Sequence, residues 1–194
     1  MIRIAVIGSA SVGKSALVNA VFGTAFPVDA RSGSTREPLR IVIGDLEVVD
    51  APPDTLPHAD AYMLVCDKDL TATEFRHLRE LRDRRRPVGV VVNKADSYAA
   101  ADLASLIHQI RTRTRGLVPP DRVVACAADP VRIVHREHRD GTLSEHEVPA
   151  SADVSTVVSL VRTLAAEAGA TVRVRSRELG RKVVKALKQR LQAP

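Results

Sequence analysis

Apolar residues dominate three short stretches, 1–7, 61–66 and 87–92, with β-branched side chains and little polar alternation. Strands covered by helices on both faces read this way, so these stretches predict the interior of a parallel sheet. Between them the period changes. Residues 14–22 are helix-compatible and stop at Gly23. Residues 71–85 place Phe75, Leu78 and Leu81 inward, and 102–115 repeat Leu103, Leu106, Ile107 and Ile110 at the spacing of a helix face. A last helix is expected over 151–169, capped by Ser151, with Val154, Val157, Val158, Val161, Leu164 and Ala165 along one stripe. Residues 39–43 and 46–50 read as short strands joined at Gly44-Asp45, a hairpin. A further strand is expected at 122–126, after the Pro119-Pro120 break. Alternating strands and helices with right-handed crossovers imply an α/β fold. It is a doubly wound, mostly parallel sheet with one antiparallel edge strand and ligands at the carboxyl ends of its strands.

Three segments break this pattern. Residues 24–38, with Pro27, Gly33 and Pro38, form a polar connection too long for an ordinary turn, and such loops are usually functional. Residues 51–58 carry Pro52, Pro53 and Pro57 and cannot be regular structure. Residues 131–149 alternate on either side of Asp140-Gly141, a strong turn dipeptide, and predict an extra β-hairpin. With a two-residue turn, Arg136 faces Glu145 and His135 faces His146. Facing histidines suit a metal site or repel one another below about pH 6.5, while the plain reading is a solvated hairpin.

Composition narrows the class. A chain of 194 residues, 45% hydrophobic, supports one globular α/β domain, and at 3% aromatic content its core must be Val, Leu, Ile and Ala. Cys66 and Cys126 lie in or beside buried strands, which suits reduced thiols. No apolar run approaches the roughly 20 residues of a membrane span, and the opening lacks a signal-peptide layout, so a cytoplasmic protein is expected. The net charge of +6 is concentrated at one end: residues 171–194 hold Arg173, Arg175, Arg177, Arg181, Lys182, Lys185, Lys188 and Arg190 against Glu178. Within that tail Leu179, Val183, Leu187 and Leu191 recur at helical spacing. The chain is thus expected to divide into a domain over 1–170 and a basic amphipathic extension over 171–194. The extension suits a partner protein, an anionic membrane surface or nucleic acid, or a helix folded back on its own domain. No RNA-binding module with stacking aromatics follows.

The chemistry begins at Gly8-Ser9-Ala10-Ser11-Val12-Gly13-Lys14-Ser15, between the first strand and the helix that continues through Ala16. This matches GxxxxGK[ST]. Glycines let backbone N–H groups turn inward around phosphate oxygens, Lys14 reaches the β- and γ-phosphates, and the Ser15 hydroxyl suits Mg²⁺. The helix N-terminus adds positive potential. Asn93-Lys94-Ala95-Asp96 follows the strand 87–92 at its carboxyl end. A carboxylate there accepts both N1–H and the 2-amino group of guanine, a donor pair adenine lacks, so Asp96 selects GTP over ATP. Asn93 would tie this loop to the phosphate loop, and the Lys94 stem would cover the base. If this stretch is only a surface turn, a phosphate-loop ATPase is the alternative.

On GSASVGKS, Thr35 in GSTREP, Asp50 in VVDAPP and NKAD, residues 1–168 resemble the translation-factor-related P-loop GTPases, especially the Era-like bacterial GTPases. The TREPL segment is also similar to the switch region of dynamin-like GTPases. The resemblance implies a small G-domain fold, and Mg²⁺ held by Ser15 and Thr35 and, through water, by Asp50. It also implies a guanine loop at Cys126-Ala127-Ala128, whose backbone N–H contacts the base oxygen. GTP hydrolysis as a molecular switch is implied, with charge neutralised by Lys14, Mg²⁺ and, in some relatives, K⁺ near Ser11. An unidentified effector or regulator and a nucleotide-dependent dimer are within the family's habits. Two departures stand out. The third motif, Asp-x-x-Gly, has Pro53 in place of the glycine, and proline has no N–H for the γ-phosphate unless that of Asp54 substitutes. Asp54 stands where some relatives carry a water-positioning glutamine, and Ser11 stands where the K⁺-activated enzymes have Asn or Asp. Nucleotide binding is expected, with hydrolysis slow, or negligible in a nucleotide-sensing adaptor.

Overall fold

The computed structural model describes residues 1–26, 37–137 and 143–168. Six strands form the main sheet: β1 (Ile2–Ile7), β2 (Leu39–Ile43), β3 (Leu46–Asp50), β4 (Ala61–Cys66), β5 (Val88–Val92) and β6 (Val123–Ala125). Their order is β2-β3-β1-β4-β5-β6, with every pairing parallel except β2 against β3. Helices α1 (Lys14–Phe22) and α4 (Ser155–Glu167) border one core, in which Leu17, Val18, Val157, Leu160 and Leu164 pack on Ile4, Val6, Val48 and Met63. Helices α2 (Ala72–Asp83) and α3 (Ala100–Arg113) border the other, where Leu78, Leu81 and Ile110 meet Ala5, Ile7, Tyr62, Leu64 and Val90. The doubly wound sheet with one antiparallel edge strand is therefore as the apolar pattern predicts.

Crossovers between parallel strands usually carry a helix. The connection from β3 to β4 does not: residues 51–60 pass β1 as an irregular, proline-rich segment. It is pinned near its far end. The Tyr62 hydroxyl donates to Pro57 O (2.8 Å) and accepts the Ala59 N–H (3.0 Å), and the Asp60 N–H donates to Arg3 O (2.8 Å). Buried Ala51 and Ala59, with Leu56 beside them, join the α2–α3 core.

Besides one- or two-residue shifts at the ends of α2 and α3, a helix start and a hairpin register differ from the sequence reading. The last helix begins at Ser155, because Asp153 pairs as an isolated antiparallel bridge with Ala127 and holds the chain extended. Asp153, not Ser151, supplies the local side-chain contact, accepting from Ser155 Oγ at 2.9 Å. The extra hairpin exists as β7 (Val131–Glu137) and β8 (Leu143–Pro149), but its register is one residue away from that of a two-residue turn. Its last pair is Glu137 with Leu143, so 138–142 connect the strands. His135 then faces Glu145, Arg136 faces Ser144 and His146 faces Val134. The two histidines and the Arg136–Glu145 pair are not cross-strand partners, which removes the basis for a metal site there. Among the described residues no helix is long and apolar enough to cross a membrane. The tail expected over 171–194 lies outside the described residues.

Candidate functional site

The carboxyl ends of β1, β3, β4 and β5 bring the candidate residues to one edge of the sheet. The loop after β1 bends as its glycines require. Gly8 has φ +142° and Gly13 φ +87°; a Cβ on Gly8 would lie 2.2 Å from Val65 O, and one on Gly13 would lie 2.3 Å from Asn93 Nδ2. Any side chain there would push the loop off β4 or off the base loop. Ala10 and Ser11 are exposed at the loop's crest, and Val12 and Ala16 are buried beneath it. Ser11 adopts φ +61°, completing the turn that gathers the loop amides.

Lys14 is buried at 6% exposure, its Nζ donating to Gly8 O (2.9 Å) and Ser9 O (2.7 Å) across the loop. Desolvation lowers its pKa, opposed by the nearby Asp50, Asp54 and Glu74 carboxylates. An ammonium held this way is a preformed counter-charge for phosphate oxygens. Asp50, fully buried at the end of β3, accepts from Ser15 Oγ at 2.5 Å. Its other oxygen, Oδ1, is buried with no hydrogen-bond partner. Burial raises the Asp50 pKa, and the Ser15 hydrogen bond and Lys14 oppose the rise. An orphan carboxylate oxygen beside a serine hydroxyl is a hard-oxygen donor set that fits Mg²⁺, which commonly takes one carboxylate with waters and phosphates completing its shell. Thr35, the third predicted ligand, lies outside the described residues.

The base end is joined to the phosphate end by the side chains of Asn93 and Lys94. Buried Asn93 donates from Nδ2 to Val12 O (3.0 Å), and its Oδ1 accepts the Ala128 N–H (3.1 Å) and the Cys126 thiol (3.4 Å). Lys94, at φ +57°, reaches Ser11 O (2.7 Å) and Asp67 Oδ2 (3.0 Å) and so lies along the loop crest. Asp96 is exposed in the short 3₁₀ turn Ala95–Ser97, which is tied to the next loop by the Ala95 N–H on Cys126 O at 3.0 Å. The Asn93 tie between this loop and the phosphate loop is therefore as the motif predicts. The Cys126 turn adds a constraint. The Cys126 N–H donates to Val92 O, that of Ala127 to Asp153 O (3.3 Å) and that of Ala128 to Asn93, so all three amides already have acceptors. Burial pushes the Cys126 thiol up to about 12, keeping it a neutral packing and donor group.

Beyond Asp50 the chain departs from a glycine-bearing motif in geometry as well as sequence. Pro53 offers no N–H, and the Asp54 N–H that follows is directed at Gly8 O, 3.3 Å away. Asp54 adopts φ +56°. Sequence reasoning missed a further residue, Glu74. It is 1% exposed, and its Oε1 accepts both the hydroxyl (2.9 Å) and N–H (3.3 Å) of Ser9, while Oε2 accepts the Thr71 N–H at 2.9 Å. The Thr71-x-x-Glu74 spacing announces a capping box at the start of α2. Nothing in it announces the reach to Ser9.

Residues 3–94 match the model of a family described as 50S ribosome-binding GTPase, a stretch ending two residues before Asp96. Among curated proteins none matches the sequence. Among solved structures, a point variant of Aquifex aeolicus Era bound to GDP and AlF4⁻ is 21% identical over 66% of this chain and 52% of its own, with a TM-score of 0.54. Era in complex with MgGDPNP and 16S ribosomal RNA nucleotides 1506–1542 is 21% identical over 66% of this chain and 51% of its own, at 0.55. A probable GTP-binding protein, EngB, is 20% identical over 65% of this chain and 89% of its own, at 0.52. This chain thus spans about half the length of the Era structures it matches. The family match covers the phosphate loop and just under half of the chain, and the fold is similar to that of Era and EngB.

Proposed function

We propose that this chain binds GDP and GTP and hydrolyses GTP slowly to GDP and phosphate, acting as a guanine-nucleotide switch. The observation that carries the reading is the Asn93 side chain, which bonds the phosphate loop at Val12 and the base loop at Ala128 and so fixes the spacing between phosphates and base. Lys14 supplies the positive charge at the β- and γ-phosphates, and the loop amides orient them. Mg²⁺, held by Ser15 and Thr35 and through water by Asp50, would supply further charge neutralisation on the phosphates. In this reading Asp96, which is exposed, accepts from guanine, and Ala127, whose N–H makes the longest of the turn's three bonds, is the amide that a base oxygen recruits. Slow turnover rests on Pro53, which withholds a γ-phosphate donor, and on Asp54, a carboxylate where water must be positioned. A nucleotide-sensing adaptor with negligible turnover is the second reading, favoured by the same two residues.

The partner-docking element in this reading is the basic tail over 171–194, whose support is its sequence charge and apolar spacing. Its occupant is a partner protein, an anionic membrane surface or nucleic acid, the last kept open by the Era complex with 16S ribosomal RNA. The site of action is the cytoplasm. Single-turnover hydrolysis of bound GTP with Mg²⁺, with K⁺ and with Na⁺ in its place, tests the reading. Slow release of phosphate supports the switch, no release above the uncatalysed rate supports the adaptor, and stimulation by K⁺ assigns the cation role near Ser11.

A further inference from the structure

Ser9 is the meeting point of two carboxylates from different parts of the chain. Its hydroxyl lies 2.9 Å from Glu74 Oε1 and 3.3 Å from Asp54 Oδ1. A serine hydroxyl has one proton to donate, so only one carboxylate is satisfied by it at a time. The two acceptors differ. Glu74 is buried and fixed by three donors, the Ser9 hydroxyl, the Ser9 N–H and the Thr71 N–H. Asp54 is exposed, near the middle of the helix-free 51–60 connection, and is held by the long Ser9 contact and by its own N–H on Gly8 O at 3.3 Å. Gly8 O and Ser9 O are also the carbonyls on which Lys14 rests, so Asp54 is docked on the two residues that hold the phosphate-binding ammonium.

Resting on the guanine-nucleotide reading above, we propose that Asp54 is a built-in stand-in for the terminal phosphate. Its carboxylate, docked on Ser9 and drawn toward Lys14, favours the diphosphate and must be displaced when a triphosphate binds. The electrostatics have a definite sign. Lys14 already faces Asp50, Asp54 and Glu74, and each stabilises its charge. A γ-phosphate brought to Lys14 adds negative charge beside Asp54, and of the three carboxylates Asp54 alone is exposed and so free to leave. Pro53 contributes by supplying no N–H to offset that repulsion. The anchors at Tyr62 and Arg3 hold the far end of the connection, which confines the movement to the residues around Asp54. Glu74 is a positioning residue here: by holding Ser9 it keeps the dock in place while Asp54 comes and goes.

Competition binding of GDP and the non-hydrolysable GDPNP, with Mg²⁺, to the parent protein, Asp54→Asn and Asp54→Gly tests this. Asn and Gly both tolerate the left-handed backbone at this position, so both variants keep the loop. The GDPNP-to-GDP affinity ratio is expected to rise about fivefold in both, the size of an exposed charge interaction, with GDP affinity changed less than about twofold. Hydrogen exchange at the amides of 54–56 is expected to be faster with GDPNP than with GDP in the parent, with that difference reduced in Asp54→Asn. An unchanged or reduced ratio in both variants overturns the proposal. So does an equal change in both affinities, which marks Asp54 as merely structural. A parent that binds neither nucleotide overturns the guanine-nucleotide reading and this proposal together, an outcome distinct from binding with an unchanged ratio.

Discussion

The two ends of the nucleotide site are built on different terms. At the base end the polar contacts are preformed: Asn93 bonds the phosphate loop at Val12 and the turn at Cys126 and Ala128. At the terminal-phosphate end the glycine donor is gone, the connection from β3 to β4 has no helix, and an aspartate is docked where negative charge must arrive. The contrast teaches that holding a guanine nucleotide and telling its triphosphate from its diphosphate are separable properties. The first needs preformed hydrogen bonds at fixed spacing; the second needs a contact that exists only when the γ-phosphate is present. In the reading proposed above, this chain keeps the former and rebuilds the latter.

The largest expected effect falls on what both ends share. Lys14→Ala removes the ammonium from the carbonyls of Gly8 and Ser9 and leaves the phosphates without a buried counter-charge. Removing one member of such a charge pair costs about 3 kcal/mol or more, roughly a hundredfold in affinity. Titration with GTP and GDP should show both weakened; a variant that binds and turns over GTP like the parent contradicts the phosphate-loop assignment.

Next comes a change that acts on the terminal-phosphate end alone. Pro53→Gly restores an N–H at the motif's usual position, and its hydrogen bond to a charged group should raise the GTP preference over GDP by about 1.5–3 kcal/mol. An unchanged affinity ratio would mean that this segment meets the γ-phosphate by another route. The base end has its own counterpart. Asp96→Asn should weaken GTP by at least about tenfold, about 1.4 kcal/mol, and partly rescue xanthine nucleotides, whose ring offers an oxygen to the Asn amide. Competition against labelled GDP reads both effects, and loss of GTP binding without rescue would place Asp96 outside the base contact.

The smallest effect concerns the thiols. Burial raises both Cys66 and Cys126, the latter to about 12. The native thiols therefore keep their protons where unfolded ones lose them, so their contribution to stability is complete below about pH 8.5 and declines as pH rises beyond it. Iodoacetamide at pH 7.5 should label neither until the protein is unfolded; rapid native labelling of Cys126 would show the guanine turn to be open.

What can be read in the sequence follows from where the constraint lies. The phosphate loop and NKAD are fixed by short-range chemistry, so spacing alone brings Lys14, Ser15, Asn93 and Asp96 to the right edge of the sheet. Strands β1, β4 and β5 are legible because burial on both faces leaves an apolar run, and β2 and β3 because Gly44-Asp45 marks the turn between them. Glu74 is not legible, because its second contact spans 65 positions to Ser9 and its local spacing is already explained by the cap. The start of α4 escapes the sequence for a similar reason: the Asp153–Ala127 bridge is a tertiary pairing that overrides Ser151 as a cap. The hairpin register is missed because Asp140-Gly141 suggests a two-residue turn, whereas the paired strands leave 138–142 between them.

The separation of base recognition from triphosphate recognition is tested most directly by equilibrium affinities of the unmodified protein for GDP, GDPNP and ATP in one buffer with Mg²⁺. GDP should bind at least as tightly as GDPNP, and ATP more weakly than GDPNP by roughly a hundredfold or more, the scale set by an unpaired polar group at the wrong base. ATP binding as tightly as GDPNP would contradict the base end and make the protein a phosphate-loop ATPase; GDPNP binding well above GDP would contradict the rebuilt terminal-phosphate end.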